Sequence, residues 1–291
     1  MKSIRLNCRM SIQDILDSNE TILESPEKVV LEFESGIYRQ RIHMKGQNVN
    51  IRGIGTVIIR NFLGANALGK NKTFQTATFI CEGKNVCIEN IIFANDGPQK
   101  NAVGQAIALY INGDRISINN CKCFGNQDTV CIGPVVKKNK DGSKPDLPVK
   151  SNKYENMRYL FKNCDIKGSI DYVFGGGSAL FENCKFLNVS SVMSNENYLC
   201  APCTDKNKKY GFVFYKCRII SQNNIKKFFL ARPWRKYAKA YFIDCQVDKS
   251  LDVHLWSEWG KNGKQDFRYF YSDTPEKKRK LGKILYYFND L

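Results

Sequence analysis

One short pattern recurs along this chain: an alternating strand-like run, a polar residue, a small apolar cysteine, then a second strand-like run. It reads Ile116-Ser117-Ile118-Asn119-Asn120-Cys121, then Leu160-Phe161-Lys162-Asn163-Cys164-Asp165-Ile166, then Ala179-Leu180-Phe181-Glu182-Asn183-Cys184-Lys185-Phe186. Val213–Ile219 around Cys217 and Tyr241–Val247 around Cys245 repeat it, and Val86–Phe93 is a looser copy. Successive cysteines from Cys164 are 20, 33 and 28 residues apart. A unit of roughly 20–45 residues with variable insertions marks a stacked solenoid. One coil cannot bury its apolar face alone, and stacking builds a continuous core. In-register cysteines would form an inward ladder of small apolar side chains. Short strands, polar turns and no long helices predict an all-β, single-domain parallel β-helix over residues 1–291, with short capping helices.

Ser11–Leu16 reads as a helix, with Ser11 as its cap and Ile12, Ile15 and Leu16 at helical spacing. It is expected to cover one end of the stack, since an uncovered β-helix exposes pairing edges. Asp273-Thr274-Pro275-Glu276 is a helix-start signal, and the basic segment 262–291 is expected to cover the other end. Residues 136–156 are polar, contain Pro145 and Pro148, and read as a long loop inserted between coils. Such insertions often emerge on the functional face of a solenoid.

Composition excludes some chemistry. Only His43 and His254 are present, so a multi-histidine metal site is excluded. Cys200-Ala201-Pro202-Cys203 has no second pair and no nearby histidine, and the 12 cysteines read as buried thiols. No metal or cofactor is expected. No window has the roughly 18 apolar residues of a membrane span, and the start shows no signal peptide, so a cytoplasmic protein is expected, or a secreted one whose leader has been removed. Lys and Arg number 45 against 28 Asp and Glu, a formal charge of +17. That field favours a polyanionic partner, either nucleic acid or an acidic polysaccharide. No nucleic-acid motif accompanies it, and a monomer is expected.

Asp171 stands in the apolar run Gly168-Ser169-Ile170-Asp171-Tyr172-Val173-Phe174-Gly175. A carboxylate among such side chains is costly unless paired. Alone, it reads equally as a structural residue in a turn or as a functional one. Gln127 follows Gln105 by 22 residues and Asp171 follows Asp128 by 43, about one coil and one coil plus the insertion. Those offsets are compatible with one face without requiring it.

The segments Gln105–Leu109 (QAIAL), Gly125–Val130 (GNQDTV), Asp171–Gly175 (DYVFG) and Leu230–Trp234 (LARPW) resemble, in order, the signature blocks of the pectin methylesterase (pectinesterase) family. Weaker likeness extends from Ser11 to about Trp259. The resemblance implies a right-handed parallel β-helix with a carbohydrate cleft along one face, hydrolysing galacturonate methyl esters to acid and methanol. Asp171 matches the family's nucleophile, Asp128 its general acid and base, Arg232 the residue holding the nucleophile, and Gln127 the donor to the tetrahedral oxyanion. Gln105 matches a further polar contact. Trp234 and Phe174 match aromatic residues that touch sugar rings, and Thr76 and Tyr237 are weaker candidates for the cleft wall. Cys131 stands where the family usually has Tyr, and Ala231 where it usually has Gly. Both changes are expected to alter the cleft wall. Pectin or an oligogalacturonide is the implied partner. The competing readings are an acidic-glycan binder without turnover, a pectate lyase on a similar scaffold, and a nucleic-acid binder.

Overall fold

The computed structural model describes residues 2–96, 103–139, 141–149, 154, 156–191, 194–222, 225, 227–248, 253–259 and 265–291. The strands stack in parallel into three faces around one core, a parallel β-helix. The first face runs from Ile42–Gln47 through the leading halves of Phe79–Glu89 and Leu109–Asn119, then Val130–Ile132, Ile170–Gly175, Glu196–Pro202, Lys227–Ala231 and Val253–Trp256. The second carries the trailing halves of the two long strands, then Arg158–Lys162, Ser178–Glu182, Phe212–Tyr215, Lys239–Ile243 and Asp266–Phe270. The third runs from Gly36–Tyr38 to Gln246–Val247.

The recurring sequence unit is the corner between the second and third faces. Its polar residue takes a left-handed backbone: Asn120, Asn163, Asn183, Lys216 and Asp244 have φ between 50° and 54°. Asn and Asp tolerate that region better than most residues. The amides also stack from coil to coil, Asn120 donating to Asn90 and Asn183 to Asn163. The following cysteine turns inward. Cys164, Cys184, Cys217 and Cys245 donate to carbonyls one coil back, those of Ile118, Phe161, Phe181 and Phe214, at 3.3–3.4 Å. Beside this ladder Phe161, Phe181, Phe214 and Phe242 stack ring on ring, with centroids 4.7, 4.9 and 4.3 Å apart. Where the first two faces meet, Gly46, Gly83 and Gly113 are in register, and a Cβ on Gly113 would lie 1.8 Å from the Gly83 carbonyl oxygen.

The helix Ile12–Ser18 covers the starting edge of the first face. The Gln13 side-chain amide acts there as a substitute strand, accepting from His43 N at 2.8 Å and donating to His43 O at 3.3 Å. Ser11 does not cap this helix with its side chain; Gln40 does, accepting from Ile12 N at 2.9 Å. The helix Pro275–Tyr287 starts as expected, with Thr274 accepting from Lys277 N. Its position corrects the expectation of an end cap. Leu281, Ile284 and Phe288 pack on outward side chains of the second face, Leu180, Val213 and Tyr241, along the flank of the stack. Segment 262–291 also contributes a strand, Asp266–Phe270, to that face.

Candidate active site

The outer surface of the first face holds a cavity of about 500 Å³. One rim is made by segments entering the strands: Lys70, Asn71, Thr73, Phe74, Gln105 and Gln127. The other is made by segments leaving them: Val136, Asn139, Asp141, Trp234, Arg235 and Trp259. Asp128, Asp171, Phe174 and Arg232 line it as well.

Asp171 faces this cavity because of a β-bulge. Ile170 pairs with Tyr198 and Val173 with Cys200, so Asp171 and Tyr172 together oppose the single residue Leu199. Bulges re-aim side chains in this way. Asp171 has φ of 49°, while Tyr172 and Val173 join the interior core. Asp128, one coil earlier, has φ of 62° and donates its N–H to Ile170 O at 3.0 Å. Ala106 N donates to Gln127 O at 3.1 Å, which ties the Gln105 and Gln127 coils together.

Arg232 grips Asp171 with two parallel bonds, Nε to one oxygen at 2.8 Å and Nη2 to the other at 2.7 Å. Both side chains are nearly buried. A charge-assisted fork of this kind is short, strong and geometrically specific. The guanidinium lies between two rings, with its carbon 3.8 Å from the Tyr198 centroid and 3.9 Å from that of Trp259. Among the described residues no hydrogen bond reaches the Asp128 carboxyl. Burial, and next the negative charge of Asp171, push Asp128 well above the ordinary carboxylate range, against the pull of Arg232. The two acids are thus set apart: one is paired with a cation, which favours its carboxylate form, and the other is pushed toward its protonated form by its surroundings.

An aromatic wall runs beside them. Phe174 stacks on Phe74 at 6.3 Å and meets Trp234 edge-on at 5.7 Å. Of the residues singled out in the sequence, Asp128, Asp171, Gln105, Gln127, Arg232, Phe174 and Trp234 therefore share one cavity. Thr76 does not line it. Its side chain is fully buried, donating to Thr73 O at 2.7 Å and accepting from Ile107 N at 3.0 Å, so it braces the rim from within. Tyr237 lies outside the lining, half-buried beside Lys236. Cys131 and Ala231 do not shape the wall directly either, because both are fully buried. Sequence reasoning passed over Tyr198, Trp259, Phe74 and Arg235. The one available signal was Trp259 itself, an indole in a polar stretch at the edge of the matching region.

The pectinesterase family model matches residues 8–133 and 152–277. The chain belongs to the pectinesterase family, whose members are carboxylic ester hydrolases. Within the family it is 30% identical over 260 residues to putative pectinesterase 14 of Arabidopsis thaliana, covering 86% of this chain and 68% of that one. It is 26% identical over 263 residues to probable pectinesterase/pectinesterase inhibitor 13 of the same plant, but spans only 38% of that longer protein. Among solved structures the fold superposes on a pectin methylesterase from carrot with a TM-score of 0.73, at 21% identity and covering 92% of this chain and 82% of that one. A pectin methylesterase in complex with a hexasaccharide gives a TM-score of 0.68 at 21% identity, covering 92% and 89%. The family match breaks at residues 134–151, the span that holds most of the insertion between coils.

Proposed function

We propose that this pectinesterase hydrolyses methyl esters of galacturonate in pectin or oligogalacturonides, with Asp171 as nucleophile and Asp128 as general acid and base. The reading rests above all on one contact, the fork of Arg232 on Asp171, beside an Asp128 whose burial favours its protonated form. One Asp171 oxygen attacks the ester carbonyl carbon, and the carbonyl electrons move onto oxygen. Gln127, with Gln105 beside it, supplies N–H donors to that oxyanion, the kind of stabilisation that dominates many acyl transfers. The tetrahedral intermediate collapses, the C–O bond to methoxide breaks, and Asp128 delivers its proton to give methanol. The remaining acyl-enzyme is an anhydride between Asp171 and the sugar acid. Asp128, now a carboxylate, takes a proton from water, and the hydroxide attacks the sugar carbonyl. The galacturonate leaves as an acid, Asp171 is freed as a carboxylate, and Asp128 is protonated again. Arg232 keeps the nucleophile ionised and aimed, while Phe174 and Trp234 offer faces for the sugar rings.

The test is methanol release from methyl-esterified oligogalacturonides by the purified chain, with one new titratable acid per methanol. Acid without methanol, or neither, would overturn the reaction. A rise in unsaturated product would favour a lyase instead.

A further inference from the structure

The insertion absent from the family match crosses the cleft. It leaves the first face after Val130–Ile132, on the rim that also carries Trp234 and Arg235. There it is anchored by Arg235, which donates to Lys138 O at 2.9 Å. It then reaches the opposite rim. Asp141 accepts from Asn71 at 3.0 Å and lies 3.4 Å from Lys70, while Asp146 accepts from Lys72 at 2.6 Å and from Gln75 at 3.1 Å.

Beneath this span the groove floor is filled. Ile80, Tyr110, Cys131, Phe174 and Ala201 form one outward column across successive coils. Phe174 and Ala201 open into the cavity. Ile80, Tyr110 and Cys131 are buried in a cluster with Val135 and Val149 of the insertion, and Leu147 packs against the same cluster. The small side chain at Cys131 suits this packing. The groove therefore stays open over Asp171 and Arg232 and is dammed on the side toward the chain's N-terminal coils. Asn139 and Asp141 face the catalytic cavity, while Pro148 lines a separate hollow beyond the dam, with Glu24, His43, Glu82 and Tyr154.

We infer that the cleft is blind on that side, and that this enzyme acts on the ends of galacturonan chains and on short methyl-esterified oligomers rather than on the interior of polymeric pectin. This rests on the esterase reading given above. A glycan lying along the groove must terminate at the dam, because the insertion joins both rims. An interior stretch of a long chain has no path beyond it.

The experiment compares kcat/KM per methyl ester on methylated oligogalacturonides of three to six sugars with that on high-molecular-weight methylated pectin. Mass spectrometry of partly reacted oligomers then locates the ester lost first. The expected result is a preference of about tenfold or more for the oligomers, with loss beginning at one chain end. The double variant Lys72→Ala, Asp146→Ala removes the Asp146 tethers to the far rim, leaving the Asp141 contacts and the cavity lining in place. It is expected to raise the rate on polymer about threefold or more while the oligomer rate stays near wild type. The wild-type comparison decides the matter even if that variant is poorly folded. Equal rates on oligomer and polymer, or loss from interior positions first, would overturn the blind cleft and leave the esterase reading standing. Absence of methanol from every substrate would remove both.

Discussion

Asp128 and Asp171 share a left-handed backbone, with φ of 62° and 49°. Neighbouring coils hold both acids in a region that most residues avoid, at an expense of order 1–3 kcal/mol each. The coil-to-coil bonds around them, such as Asp128 N to Ile170 O, fix that conformation. Asn adopts it more readily than Ala. Asp171→Ala is therefore expected to be less stable than Asp171→Asn by about 1 kcal/mol, although both lose the ion pair with Arg232. Urea unfolding of the two variants measures the difference. Equal stabilities would show that the backbone carries no such strain.

The pH dependence of stability follows from Asp128. In the unfolded chain its carboxyl ionises near roughly 4, while in the folded protein burial and then Asp171 hold it well above that range. Between the two values the folded state keeps a proton that the unfolded chain has lost, so stability falls as pH rises. The contribution is complete below the unfolded value and is lost as pH climbs through the folded one. Asp128→Asn cannot ionise. It is expected to match wild type in acid and to exceed it at higher pH, the gap widening by up to about 1.4 kcal/mol per pH unit across the window. Denaturant unfolding over a pH series reads this directly, and a constant gap would mean that Asp128 is not the titrating group.

Tyr198 and Trp259 hold Arg232 from both sides. Cation–π contacts in a desolvated site reach about 2 kcal/mol. Trp259→Ala is expected to lower kcat about tenfold with little change in KM, because the misaimed guanidinium no longer orients Asp171. Tyr198→Phe keeps the ring and is expected to keep most of the rate, whereas Tyr198→Ala is not. An effect confined to KM would assign these rings to substrate contact instead.

The Phe161–Phe181–Phe214–Phe242 column is the spine of the core. Phe214→Ala removes a fully buried ring from its middle, and such truncations cost about 3–5 kcal/mol. A loss below about 1 kcal/mol would mean that the coils repack around the gap.

How much of this was legible in the sequence depends on the element. The solenoid could be read because one corner is built the same way in coil after coil, so a left-handed Asn and an inward Cys recur as letters. The acids and Arg232 could be paired with a chemistry by family likeness, but their convergence depends on the Asp171 bulge, which leaves no mark in spacing. Thr76 was misread because a threonine near the cleft looks alike whether its hydroxyl faces sugar or braces Ile107. The terminal helix was misplaced because its apolar side, Leu281 and Ile284, fits a flank as well as an end. The insertion was visible as a polar loop, yet its crossing of the cleft depends on Asp141 and Asp146 meeting partners some 70 residues earlier.

The most direct measurement sets wild type beside Asp171→Asn, both confirmed folded by circular dichroism, in a methanol-release assay on methyl-esterified oligogalacturonides. With Asp171 as nucleophile, wild type releases methanol and the Asn variant falls by roughly a thousandfold or more. An Asn variant within a few fold of wild type would contradict the assignment of the bond-forming step to Asp171.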